Sequence, residues 1–185
     1  GMAEPRAGHT ATALADRSVM VLGGRNRALL QFDTNLDQTD NISPNILFSA
    51  DSKLGYVSYT GGGTFVIFSA ETGDILSRIF TGGRPVFATF LPDERRAVVV
   101  SALDNRVFLI DLGSQTLAST FTFANATFGF GSVITVSPDG GAAYISSTGT
   151  GEVVKFNPAD GRELGRLRGL QGPAQITLSR DGATL

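Results

Sequence analysis

Five aspartates constrain this chain more than any other feature. Asp16, Asp51, Asp93, Asp139 and Asp181 stand in turn-like contexts, most plainly Ser137-Pro138-Asp139-Gly140, and are separated by 35, 42, 46 and 42 residues. A second marker keeps step with them: an apolar strand that ends in Phe or Ile and is followed by a small polar residue, as in LLQFD, FVIFS, VFLID and VVKFN. The distance from each aspartate to Phe32, Phe68, Ile110 and Phe156 is 16, 17, 17 and 17 residues. Two markers moving together over about 40 residues define a repeat, in which each unit buries its apolar faces against its neighbours.

Within a unit, β-branched and aromatic runs alternate with Gly, Pro, Asn and Asp, which is the pattern of short strands joined by tight turns. The fourth unit reads as strands over 132–136, 142–147, 152–157 and 163–167, and the third as 85–90, 96–101, 106–111 and 117–121. The second reads as 46–49, 55–59, 64–69 and 75–80, whereas the first is legible over 9–14, 19–22 and 28–32 and vague after Asp33. Four antiparallel strands per unit predict an all-β β-propeller, with about four blades plus a partial fifth. The units span about 9–42, 45–82, 84–125, 129–170 and 172–185, within a single domain or propeller fragment. Third strands such as Thr64-Phe65-Val66-Ile67-Phe68 are apolar at nearly every position, as expected for strands covered on both faces. Fourth strands mix Arg78, Arg166 and Arg168 with apolar residues, predicting an outer strand with one wet face.

Composition narrows the function classes. The chain has 185 residues, 42% hydrophobic and 17% charged, which suits one domain with a sizeable core rather than a disordered chain. A net charge of −2 provides no overall attraction for nucleic acid. Without cysteine there is no disulfide, zinc-thiolate site or thiol nucleophile. Apolar runs are strand-sized, too short for a membrane span. Gly1-Met2 reads as a cleavage remnant, compatible with a secretion signal already removed.

The run PDGGAAYIS followed by VVKFNPADGRELGRL resembles the YVTN-type β-propeller repeat, a relative of WD repeats, in which a PDG turn leads into the second strand. FVIFSAETGDIL and VFLIDLGSQTLA match the same pattern, so the resemblance covers roughly residues 45–185. PRAGHTATALADRSVMVLGG resembles a kelch repeat instead. The resemblance implies blades around a channel, commonly seven, with first strands lining the axis, and a bacterial, periplasmic or extracellular setting. Leu185 falls at a second-strand position of the fifth unit, so the chain is expected to be a fragment or to complete its ring by self-association with a second copy.

Candidate chemistry is sparse. His9 is the only histidine, and a metal or triad role would need convergent partners that no motif provides. The turn aspartates, with Asp33 and Asp111 at strand-three exits, read as Asx turns. The oxygen-rich segment 33–41 lacks the central Gly and closing Glu of a calcium loop. Gly61-Gly62-Gly63 and Gly149-Thr150-Gly151 lie between strands and read as hairpin turns rather than phosphate cradles. TFTFANATFGFGS, in the longest inter-aspartate interval, holds Phe121, Phe123, Phe128 and Phe130. Burial between blades is the favoured reading of these rings, and an exposed aromatic rim is the competing one.

The residues named for a ligand or partner surface are therefore Phe123, Phe128 and Phe130, together with His9, Asn45 and Gln175 on first strands. The favoured function is a noncatalytic binding or scaffold module with a protein or small-ligand partner, no cofactor, no metal and no nucleic acid. The alternative is a propeller-type lactonase or cofactor-dependent dehydrogenase whose catalytic residues lie mostly outside these units.

Overall fold

The computed structural model describes residues 10–13, 18–22, 30–33 and 42–185, with side chains from residue 45 onward. Among these residues there is no helix, hence none long and apolar enough to cross a membrane. Strands β1 (Thr10–Ala13), β2 (Ser18–Leu22) and β3 (Leu30–Asp33) form an antiparallel sheet in chain order. Three four-stranded antiparallel sheets follow. The first contains β4 (Ile42–Phe48), β5 (Leu54–Tyr59), β6 (Thr64–Ser69) and β7 (Ile75–Phe80). The second contains β8 (Pro85–Phe90), β9 (Arg96–Ser101), β10 (Arg106–Asp111) and β11 (Thr116–Thr122). The third contains β12 (Ile134–Val136), β13 (Ala143–Ser147), β14 (Glu152–Phe156) and β15 (Glu163–Leu167). Each sheet is an up-and-down meander, and the first strands β1, β4, β8 and β12 are neighbours in that order. That is the arrangement of blades in a propeller-like fold.

The turn that sets the period is built the same way in three of the four described copies. Ser137 Oγ donates to Asp139 Oδ1 at 2.6 Å and to the Ala142 carbonyl at 3.0 Å, and it accepts the Ala142 N–H at 2.9 Å. Asp139 Oδ1 also accepts the Gly141 N–H at 2.9 Å, so the Asx group closes the turn. Ser49 with Asp51, and Ser179 with Asp181, repeat the hydroxyl–carboxylate bond at 2.7 and 2.6 Å. In the second four-stranded sheet Leu91 replaces the serine, and Asp93 instead holds Arg96 through Nη2 at 2.7 Å. The chain turns through a left-handed residue in all four described copies: Ser52, Glu94, Gly140 and Gly182, at φ 58°, 51°, 72° and 71°. At the far end of each four-stranded sheet, the third and fourth strands slip register at one site, between Ile67 and Phe68, Leu109 and Ile110, and Lys155 and Phe156. The slip marks a bulge that twists the outer strand.

Alternation on each strand sends one set of side chains to each neighbouring sheet. Ala97, Val99, Phe108 and Ile110 pack with Tyr56, Phe65, Ile67 and Ile79 of the preceding sheet. Val98, Val100, Val107 and Leu109 pack instead with Ile134, Ile145, Val154 and Phe156 of the following one. The central sheet is covered on both faces, as its unbroken apolar strands require.

Three expectations are corrected. Arg166 does not point from β15 into water. Its side chain is 7% exposed, paired with Glu152 at 2.9 Å and Glu163 at 2.7 Å, while Nη2 donates to the Ala124 carbonyl at 2.6 Å. The cation closes the seam between blade and connection, because a guanidinium has enough donors to satisfy all three acceptors at once. The first strand of the fourth unit starts at Ile134 rather than Ser132, since the Ser132 hydroxyl is taken by the Gly129 N–H in a turn. Residues 168–185 form no strand, although the turn of the fifth unit is intact and Ser179 N–H reaches the Thr184 carbonyl at 2.8 Å. One such bond is too few to make a ladder.

Candidate functional site: a cavity between first strands

The aspartates are occupied as turn formers. The Ser137 hydroxyl and then the Gly141 N–H hold the Asp139 carboxyl below the usual aspartate range. Ser49 and the Lys53 N–H do the same for Asp51, and Ser179 and the Ala183 N–H for Asp181. At Asp93 slight burial pushes upward, but the Arg96 guanidinium and the Arg95 and Arg96 N–H groups hold the carboxyl lower. Asp111 is lowered by the Ser114 N–H and hydroxyl. Hydrogen bonds to the ionised form hold these groups as fixed anions and not as proton carriers. Among the described residues no three His, Cys, Asp or Glu side chains come close enough to hold a metal ion. His9 and residues 34–41 of the oxygen-rich segment lie outside the described residues.

The phenylalanine segment does not form an aromatic rim. Phe128 and Phe123 are buried with their rings 6.2 Å apart edge to face, and Phe123 also meets Phe156 at 5.0 Å. They fill the seam between the second and third four-stranded sheets, where shedding water favours burial over display. Phe130 alone of the named trio is outside, 56% exposed.

Asn45 and Gln175 come together at one cavity of about 490 Å³. It lies where the first strands converge, lined by Asn45 and Leu47 of β4, Phe87 and Thr89 of β8, Thr135 of β12, and Gln175 of the last unit. β4 is tied to β8 across this wall, because Asn45 Oδ1 accepts the Ala88 N–H at 2.8 Å. Among the described residues every lining side chain is an amide, a hydroxyl or an apolar group. Such a surface can orient a neutral, hydrogen-bonding ligand over apolar contacts.

Of the described lining residues the sequence pointed only to Asn45 and Gln175; Phe87 and Val133 are among those it did not single out. Both look like core residues by type. Their position was nevertheless legible, since Asn45, Phe87, Val133 and Gln175 each precede a turn aspartate by six residues. Equivalent positions of successive units meet at this cavity.

No family model matches the chain, and no curated protein matches it. Among solved structures 1047 chains match, so the architecture is shared too widely to select a function. Among them is "Kuenenia stuttgartiensis Hydrazine Synthase", with a TM-score of 0.68 and 17% identity over 80% of this chain. This chain spans 42% of the length of that one. At such low identity the likeness concerns the fold alone, a succession of antiparallel blade-like sheets.

Proposed function

We propose that this chain is a noncatalytic binding module, a run of β-propeller blades that holds a neutral ligand or a peptide turn at the axial cavity. The observation that carries this reading is the chemistry of the cavity wall: two carboxamides and two hydroxyls set among apolar side chains. Carboxamides supply donor and acceptor together and do not titrate, which suits recognition better than proton transfer. The YVTN-type resemblance supports the same reading, with blades succeeding one another around a closed ring, whether completed within a longer chain or by a second copy.

A thermal-shift screen with neutral amides, sugars and short uncharged peptides tests it. Ligands that raise Tm for the unaltered chain are expected to lose their effect in Thr89→Arg, whose side chain fills the cavity. If every stabilising ligand acts equally on Thr89→Arg, the axial site is not where this protein binds.

A further inference from the structure

A second cavity lies away from the axis, between the first and second four-stranded sheets. It measures about 430 Å³ and is bounded by Gly61 of the β5–β6 hairpin, Gly82 to Arg84 of the β7–β8 connection, and Leu103, Asp104 and Arg106 of the β9–β10 hairpin. Its charges are unequally engaged. Asp104 is saturated: Oδ2 accepts Ser101 Oγ at 2.9 Å, Arg106 Nε at 3.0 Å and Arg106 Nη2 at 2.7 Å, while Oδ1 accepts the Arg106 N–H at 3.0 Å. Arg106 is held in place by that pair, by the Gly82 carbonyl at 3.1 Å, and by the face of Phe108 at 5.5 Å. Arg84 is exposed, and its guanidinium has no partner among the described residues; its bonds run through the backbone, N–H to Ser101 Oγ at 3.0 Å and carbonyl from the Ala102 N–H at 2.8 Å. Two arginines against one aspartate leave a positive charge at the cleft.

Shape fixes the rest of the site. A Cβ on Gly83 would come within 2.7 Å of both Phe108 Cζ and Ser101 Oγ and 3.0 Å of Arg106 Nη2, so only glycine leaves the floor intact. Two large apolar groups flank the cleft. Phe80, with its ring against Gly82, is 70% exposed, and Leu103 is 55% exposed. A bare inorganic anion would satisfy Arg84 and leave both of these wet. A chain carrying a carboxylate between apolar side chains would cover all three.

We infer that this cleft is a docking site for an acidic peptide segment, with a Glu or Asp carboxylate on the Arg84 guanidinium and neighbouring apolar side chains on Phe80 and Leu103. Charge complementarity and the flanking apolar pair select this occupant. The site stands independently of the axial cavity.

The test uses the intact chain and a short fluorescein-labelled peptide alternating glutamate and leucine, read by anisotropy at low salt. Saturable binding is expected, weakened about tenfold or more by Arg84→Gln, a loss that fits one charge-assisted contact. Arg84→Lys should retain part of the affinity, and Phe80→Ser should weaken binding while Arg84 is kept. Both Arg84 variants should melt at the temperature of the unaltered chain, since that side chain is exposed. The proposal is overturned if the peptide does not bind, if Arg84→Gln binds as well, or if a peptide with glutamine for glutamate binds equally. It is also overturned if inorganic phosphate at the same concentration displaces the peptide, which would reduce the site to simple anion attraction.

Discussion

Asn45 on β4 accepts the Ala88 N–H of β8 through Oδ1 at 2.8 Å, so a side chain stands in for the backbone ladder that two neighbouring first strands do not share. Antiparallel pairing runs within each sheet and packing runs between sheets, which leaves the inner strand's outward N–H groups in need of a partner. Asn45 meets that need at the wall of the axial cavity.

Replacing Asn45 by Ala should therefore cost about 1–2 kcal/mol, the usual penalty for orphaning a partly buried donor. Asn45→Asp keeps an acceptor and should lose less at neutral pH. Urea unfolding of both variants checks the order, and an Ala variant as stable as the parent would show that water takes over the bond.

Acid should loosen the blade turns. Asp51, Asp93, Asp139 and Asp181 all have folded pKa values below the ordinary aspartate value. A depressed folded pKa contributes stability that is present above the unfolded value, about 3.9, and is lost as pH falls through the folded value. Unfolding midpoints should thus drop as pH is lowered from 5 to about 2. The double variant Asp51→Asn and Asp139→Asn should show a shallower drop, and an unchanged slope would remove these turns from the acid response.

The phenylalanines separate cleanly by burial. Phe128→Ala should cost about 3–5 kcal/mol, since it empties a ring-sized space in the seam against Phe123. Phe130→Ser should stay within about 0.5 kcal/mol. Equal effects in thermal or urea unfolding would contradict the assignment of one ring to the core and the other to water.

Ser58 should be replaceable at a gain. Its hydroxyl is buried on β5 without a hydrogen-bond partner among the described residues. By spacing from the turn aspartate, the corresponding residues are Val100 and Ser146, and Ser146 Oγ does accept the Val133 N–H at 2.9 Å. Ser58→Val should raise stability by up to about 1–2 kcal/mol, because a lone buried hydroxyl costs more than it contributes. A lower Tm would indicate that the extra methyl groups do not fit.

Much of this fold could be read from the aspartate period because each copy is closed locally. Ser137, Asp139 and Ala142 make their bonds within six residues, so the turn is written in consecutive letters. Arg166 was not legible in the same way. Glu163 is a local acceptor three residues away, but the others are Glu152 on the adjacent strand and Ala124 on the preceding connection, and only the folded seam brings those together. The cavity was half legible: Asn45 and Gln175 stand out as polar letters in apolar strands, whereas Phe87 and Val133 look like core. Phe123 and Phe130 carry the same letter in one segment, and only packing tells them apart.

The axial cavity is tested most directly by thiol protection, which the absence of cysteine makes simple. Thr135→Cys places a reactive group on the cavity wall, and Thr120→Cys places one on the exposed outer strand β11. A ligand that stabilises the protein should slow modification of Thr135→Cys and leave Thr120→Cys unchanged. Equal modification of Thr135→Cys with and without that ligand would contradict binding at the axis.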